Sequence, residues 1–198
     1  GAVILPAPEN SFYCIDEAHH LSKKALSRFA AEHSWNIAVW TLEKLPQLTG
    51  KIAALTDKAE LANLADEAAT SLLDSLHEWQ FHLAEEPSLS LGSSENDRRK
   101  HNEPTWLWED GKIPEGLETT VSNTAIAARS LLKHVIGLND ALSAARREKE
   151  QDGALLDRLT SEFGLFIARI EQISAVWDLL STVPIEGEEP LAKWITRR

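Results

Sequence analysis

Residues 152–181 read DGALLDRLTSEFGLFIARIEQISAVWDLLS. Leu156, Leu159, Phe163, Phe166, Ile170, Ile173, Trp177 and Leu180 recur in alternating steps of three and four. That spacing stacks side chains along one side of an α-helix, and its regularity is that of a coiled-coil seam. A seam this long and this apolar cannot face water, so it requires partner helices of similar length.

The sequence supplies them. Pro114 suits the first position of a helix, because its fixed φ is already helical and its missing N–H is not needed there. Leu117, Val121, Ala125, Ala128, Leu132, Val135, Leu138 and Leu142 follow as a stripe, with Gly137 a weak point within it. Upstream, Asp57 and Glu60 have capping-box spacing. They open a stripe of Leu61, Leu64, Ala68, Leu72, Leu76, Trp79 and Leu83, predicting a helix ~40 Å long. Ser34 is placed to cap a shorter helix carrying Ile37, Trp40 and Leu45, which Pro46 and Gly50 should kink or end. Residues 84–113 are rich in Ser, Glu, Asn and Pro and read as loop or a small hairpin. Within them, Trp106-Leu107-Trp108 predicts a strand-like piece pinned to the body by its indoles. The fold class expected is all-α: an elongated antiparallel bundle of three long helices.

Both ends differ from this middle. Phe12-Tyr13-Cys14-Ile15 is a short apolar run bounded upstream by Pro6, Pro8 and Asn10. It fits a buried strand of a parallel sheet, where polar alternation is lost. The run ends in Asp16 and Glu17, and a helical pattern with Leu21, Ala25, Leu26 and Phe29 follows from Ala18 to about Glu32. Strand, acid pair, helix is the order of a Walker B element: the first acid holds Mg²⁺ through its waters, and the second orients the attacking water. The competing reading is a helix whose first turn is acidic for reasons of dipole alone. At the other end, Pro184–Arg198 returns to mixed composition with Pro190, Leu191, Trp194 and Ile195.

Composition excludes several classes. The chain of 198 residues is 43% hydrophobic and 26% charged, ordinary for a globular domain. No apolar run reaches membrane-spanning length. Cys14, the one cysteine, cannot form an intramolecular disulfide or hold an iron–sulfur cluster alone. A net charge of −11 argues against a dedicated nucleic-acid module, although local patches can still meet phosphates. A start at Gly1-Ala2-Val3 and the absence of methionine fit a piece cut from a longer protein.

Tyr13-Cys14-Ile15-Asp16-Glu17-Ala18-His19-His20-Leu21 resembles motif II of the DinG/XPD-type superfamily 2 DNA helicases. In that family a helical Arch domain is inserted between motif II and motif III of the first motor domain. The helical residues 34–183 match its position, and Pro190-Leu191-Ala192-Lys193-Trp194-Ile195 resembles the approach to motif III in the bacterial DinG branch. The resemblance implies residues 1–33 as a motor-domain fragment, 34–183 as the Arch-like domain and 184–198 as the return segment. It implies a cytoplasmic 5′-to-3′ helicase as the parent, using ATP and Mg²⁺ on single-stranded DNA together with the remaining motor domains. Asp16 would carry the Mg²⁺ water shell, Glu17 would be the catalytic base, and His19 would couple the nucleotide site to other motor elements. Arg98, Arg99 and Lys100, and Arg146 and Arg147, are the clusters that could meet DNA, against a plain reading as a solvated loop and a helix C-terminus. The chain lacks a Gly-x-x-x-x-Gly-Lys-[Ser/Thr] phosphate loop, so on its own it is expected to be inactive and to hold no metal or cluster.

Two other readings compete. A helical protein-interaction module with an incidental acid motif explains the stripes but not the apolar run before the acids. A Zn²⁺ or Mn²⁺ site built from Asp16, Glu17, His19 and His20 has suitable donors within one helical turn. The unpaired strand at residues 1–15 is further expected either to be flexible or to promote self-association, since open edges recruit other strands.

Overall fold

The computed structural model describes residues 30–85, 105–148, 153–185, 187 and 191–196. The chain divides into two compact units, Gly1–Ala31 and Glu32–Arg198. The apolar run before the acids, the acid motif and nearly all of the helix expected from Ala18 lie outside the described residues; Ala30, Ala31 and Glu32 are not helical.

The second unit is built on four helices among its described residues: α1 (Trp35–Thr56), α2 (Ala59–Glu85), α3 (Glu118–Glu148) and α4 (Gly153–Ser181). Each runs antiparallel to the next, and α4 returns beside α1, so they form a four-cornered up-and-down bundle. Two exposed ion pairs mark the antiparallel register of α3 and α4: Arg129 with Asp178 at 3.2 Å near one end, and Arg146 with Asp157 near the other. Such exposed pairs contribute little stability, so the register is set by the core.

The bundle has one more full corner than the sequence reading expected. α1 passes through both Pro46 and Gly50 and continues to Thr56. Pro46 and Gly50 are exposed, and a proline on the outer face costs one backbone hydrogen bond without pushing its ring into a neighbour. The buried face of α1 is Ala38, Thr41, Leu42, Leu45, Leu48, Thr49 and Ile52. Ile37 and Trp40 lie off that face and are exposed. Ser34 is the N-cap residue, but its side chain makes no capping bond.

Asp57 does not open the next helix. It closes α1 in the left-handed conformation (φ 56°, ψ 36°), with its N–H donating to the Ala53 carbonyl at 2.9 Å. A short acidic side chain tolerates that geometry better than most, and it lets α2 begin two residues later. The Thr49 hydroxyl then donates to Asp66 Oδ1 at 2.7 Å, joining α1 to α2.

The expected stripe of α2 is buried at Ala68, Leu72, Leu76 and Trp79, while Leu64 is exposed and Ala65 is fully buried. Small residues keep this side of the bundle thin. Ala62, Ala65 and Ala69 on α2 and Ala125, Ala127 and Ala128 on α3 are buried, and Gly137 on α3 leaves room for the Leu61 side chain. Gly137 is thus a packing position inside an unbroken helix. α3 starts at Glu118, after a turn in which the Leu117 N–H donates to the Pro114 carbonyl, so Pro114 precedes the helix. On α4 the stripe from Leu156 through Trp177 is buried throughout, with Leu180 half-buried.

The strand-like piece pairs with the tail. β1 (Thr105–Trp108) and β2 (Lys193–Thr196) form an antiparallel ribbon with Trp106 opposite Ile195, Leu107 opposite Trp194 and Trp108 opposite Lys193. Gly111 (φ 62°), just beyond β1, sits so close to the Leu191 carbonyl that a Cβ there would lie 2.1 Å from the oxygen. Only glycine fits both the backbone conformation and the contact.

Phe163 and Trp177 are 0% and 1% exposed. Truncating either to Ala should cost about 3–5 kcal/mol, read as a fall in unfolding free energy by chemical denaturation. A loss below ~1 kcal/mol at both positions would contradict the packing of the seam described above.

Candidate functional site

Of the residues singled out by the sequence, Asp16, Glu17, His19, His20, Arg98, Arg99 and Lys100 lie outside the described residues. Arg146 and Arg147 fall in the last turn of α3, exposed. Arg146 is engaged by Asp157, whereas Arg147 has no ion pair with a described residue. Both sit at the end of the bundle opposite the one where the chain enters and leaves. Among the described residues no group of three or more His, Cys, Asp or Glu could hold a metal ion.

The entry and exit end is the most elaborate part of the second unit. Trp79 of α2 meets Trp177 of α4 edge to face with ring centroids 5.5 Å apart, and Trp108 of β1 lies 6.2 Å from Trp79. His33, just ahead of α1, packs 6.2 Å from Trp177. Edge-on and tilted contacts place positive ring edges against negative ring faces. Opposite Trp108 in the ribbon, Lys193 is only 5% exposed. Its Nζ donates to the Leu180 carbonyl at 2.8 Å and the Thr182 carbonyl at 2.6 Å. The last carbonyls of a helix have no partner within it and carry the negative end of its dipole, so an ammonium there is both a donor and a favourable charge. Lys193 thereby fastens the return segment to the end of α4.

Burial holds the Lys193 ammonium below the usual lysine range. Burial likewise lowers the His33 pKa from its ordinary value, with hydrogen bonding to the Ser34 backbone acting in the opposite sense. Neither residue was singled out as functional in the sequence. A lone Lys in a short apolar strand and a lone His before a helix carry no pattern, and only the packing reveals their roles.

Charge is distributed unevenly around the bundle. α2 carries Glu60, Asp66, Glu67, Asp74, Glu78 and Glu85 and no Lys or Arg. Glu60, Glu67, Asp74 and Glu78 fall at outward positions and are exposed. The cations of the helices lie on α1, α3 and α4. At the α1–α4 groove, Arg169 stacks over the Trp40 ring at 5.0 Å, and Trp40 lies 5.7 Å from Phe166.

This arrangement is a helical bundle in which the segment ahead of α1 and the segment after α4 meet at one end. No family model matches the chain. Over all 198 residues it is 30% identical to the ATP-dependent DNA helicase DinG of Photobacterium profundum, and it spans 27% of that protein's length. The alignment covers the whole chain and supports a DinG-like helicase fragment. No helix among the described residues is long and apolar enough to cross a membrane.

Two measurements test the entry and exit end. Lys193→Met keeps the volume but leaves the Leu180 and Thr182 carbonyls without their donor, which should cost about 1–3 kcal/mol; an unchanged unfolding free energy would show that solvent satisfies those carbonyls equally well. For His33 the sign follows from the lowered folded-state pKa. As pH falls below about 6.5 the unfolded chain takes up the proton first. Stability is then lost until the folded-state pKa is passed. The melting temperature should therefore fall more steeply between about pH 7.5 and 5 in the natural protein than in His33→Phe. Parallel slopes would contradict the burial of this imidazole.

Proposed function

We propose that the chain is the part of an ATP-dependent DNA helicase that runs from the magnesium-binding acid motif, through a helical insertion, to the segment returning toward the motor. Residues 1–33 belong to the motor domain in this reading, 34–183 form the Arch-like insertion and 184–198 lead back. The observation that carries it is the end-to-end similarity to a DinG helicase, together with the order Asp16-Glu17-Ala18-His19 ahead of a bundle that opens and closes at one end.

Asp16 carries the Mg²⁺ water shell, which neutralises charge on the nucleotide phosphates. Glu17 takes the proton of the attacking water, and His19 relays the state of the nucleotide to the rest of the motor. The phosphates themselves must be cradled by a loop this sequence does not contain, so ATP and Mg²⁺ are cofactors of the longer protein. The helical domain guides single-stranded DNA, which the parent follows in the 5′-to-3′ direction in the cytoplasm. The basic clusters Arg98–Lys100 and Arg146–Arg147 would meet its phosphates, Arg146 by exchanging its partner Asp157. A helical interaction module gains support from one feature: Phe81, Leu107, Val183, Ile185, Leu191 and Trp194 are exposed around the entry and exit end, a concentration of apolar surface suited to protein contact.

In the full-length helicase, Glu17→Gln should lower DNA-stimulated ATP hydrolysis by about 10²–10⁴-fold, while nucleotide binding measured by fluorescence is retained. Hydrolysis at the natural rate in that variant would remove Glu17 from the catalytic role. Turnover by the 198-residue chain alone, abolished by the same substitution, would overturn the requirement for an upstream phosphate loop.

A further inference from the structure

Trp40 is the one exposed residue among the four described tryptophans of the helices, and Trp35 is half-buried. Trp79 and Trp177 are 3% and 1% exposed, whereas Trp40 is 45% exposed although Phe166 and Arg169 already lie against it. Its neighbours on the same faces are also open: Ile37, one turn before it on α1, at 51%, and Leu165, one turn before Arg169 on α4, at 64%. Lys44, one turn after Trp40, is exposed. Neither Lys44 nor Arg169 forms an ion pair with a described residue.

The charge of the bundle decides what can approach this groove. α2 and α4 occupy opposite corners, so the α1–α4 groove lies on the far side from the acidic outer stripe of α2. On α4, Asp157 and Asp178 are engaged by Arg146 and Arg129. A polyanion is thus repelled from the outer side of α2, while Lys44 and Arg169 offer cations at the groove, opposed there by Glu43, one turn after Trp40, and Glu162, two turns before Arg169. An open indole beside a guanidinium is also the combination that receives an unpaired base, because every base offers a π-face and arginine can stack and contact a phosphate together. A duplex offers no free base face and gains nothing from the indole.

We infer that Trp40, backed by Phe166 and Arg169, is a stacking platform for an unpaired base of single-stranded DNA, with Lys44 and Arg169 meeting the flanking phosphates. The inference rests on the DNA-helicase reading above and gives its helical domain a defined contact. Trp40 makes the sequence-tolerant contact and Arg169 fixes the ring. Lys44 and Arg169 supply the salt-sensitive part of the affinity.

The test uses the 198-residue chain and an oligothymidylate carrying 5-iododeoxyuridine, with cross-linked peptides mapped after irradiation and affinity measured by anisotropy at low salt. The expected cross-link is to Trp40. Trp40→Ala and Arg169→Gln should each weaken binding by about five- to fifty-fold, while Trp40→Phe keeps most of it. Glu162→Gln should strengthen binding by removing an opposing charge. Unchanged melting and circular dichroism would exclude unfolding as the cause in these variants; if Trp40→Ala unfolds, Trp40→Phe and Arg169→Gln still decide the matter. Cross-links that map to Arg98–Lys100 or Arg146–Arg147, with affinity unaltered by the Trp40 and Arg169 variants, would overturn the platform and leave the DNA reading standing. Failure of the chain to bind the oligonucleotide would remove both the platform and the DNA contact of the helical domain, leaving the nucleotide motif untouched.

Discussion

Burial of the α4 stripe is the constraint on which the rest of the second unit depends. From Leu156 to Trp177 the helix presents an apolar side chain at every inward step, and no single neighbour can cover a helix of that kind. α3 and α1 flank it, α2 fills the opposite corner, and the large Trp79 and Trp177 rings meet across the core where alanines would leave a void. Tilt or shorten α4 and each of these contacts fails in turn, since a close-packed interior does not deform continuously.

The same seam explains how the entry and exit end is organised. Trp177 near its end receives His33 from the incoming chain and Trp79 from α2. The final carbonyls of the helix receive Lys193 from the outgoing chain. The ribbon joins a segment that follows α2 to one that follows α4, and Gly111 allows the backbone of the first to touch that of the second. The segments that lead into α1 and away from α4 are therefore tied to the end of one helix.

Electrostatics adds a direction to this frame. The acids of α2 have no Lys or Arg on their own helix, while those of α4 at Asp157 and Asp178 are answered from α3. The net negative charge of the whole chain conceals this asymmetry. A summed charge informs on solubility; where a polyanion can land depends on which helix carries each group.

The all-α class, the positions of α2, α3 and α4, the strand at Trp106–Trp108 and the buried seam were legible in the residues themselves, because a regular step of three and four has one physical meaning on a helix. The family resemblance was legible too, and the similarity to a DinG helicase, aligned over the whole chain, supports it. Tertiary structure decided the remainder. Pro46 and Gly50 do not end α1, because both lie on its outer face where a lost hydrogen bond or missing side chain is tolerated. Asp57 became a left-handed stop because the antiparallel packing of α2 on α1 demands a reversal there. Lys193 and His33 acquired roles only when distant segments met at the end of α4, and Trp40 parted from the core because the inward face of α1 runs through Ala38, Thr41 and Leu42. Periodicity shows that a helix has an apolar side; which neighbour covers it, and which large side chain is left outside, is settled by the fit of all four helices at once.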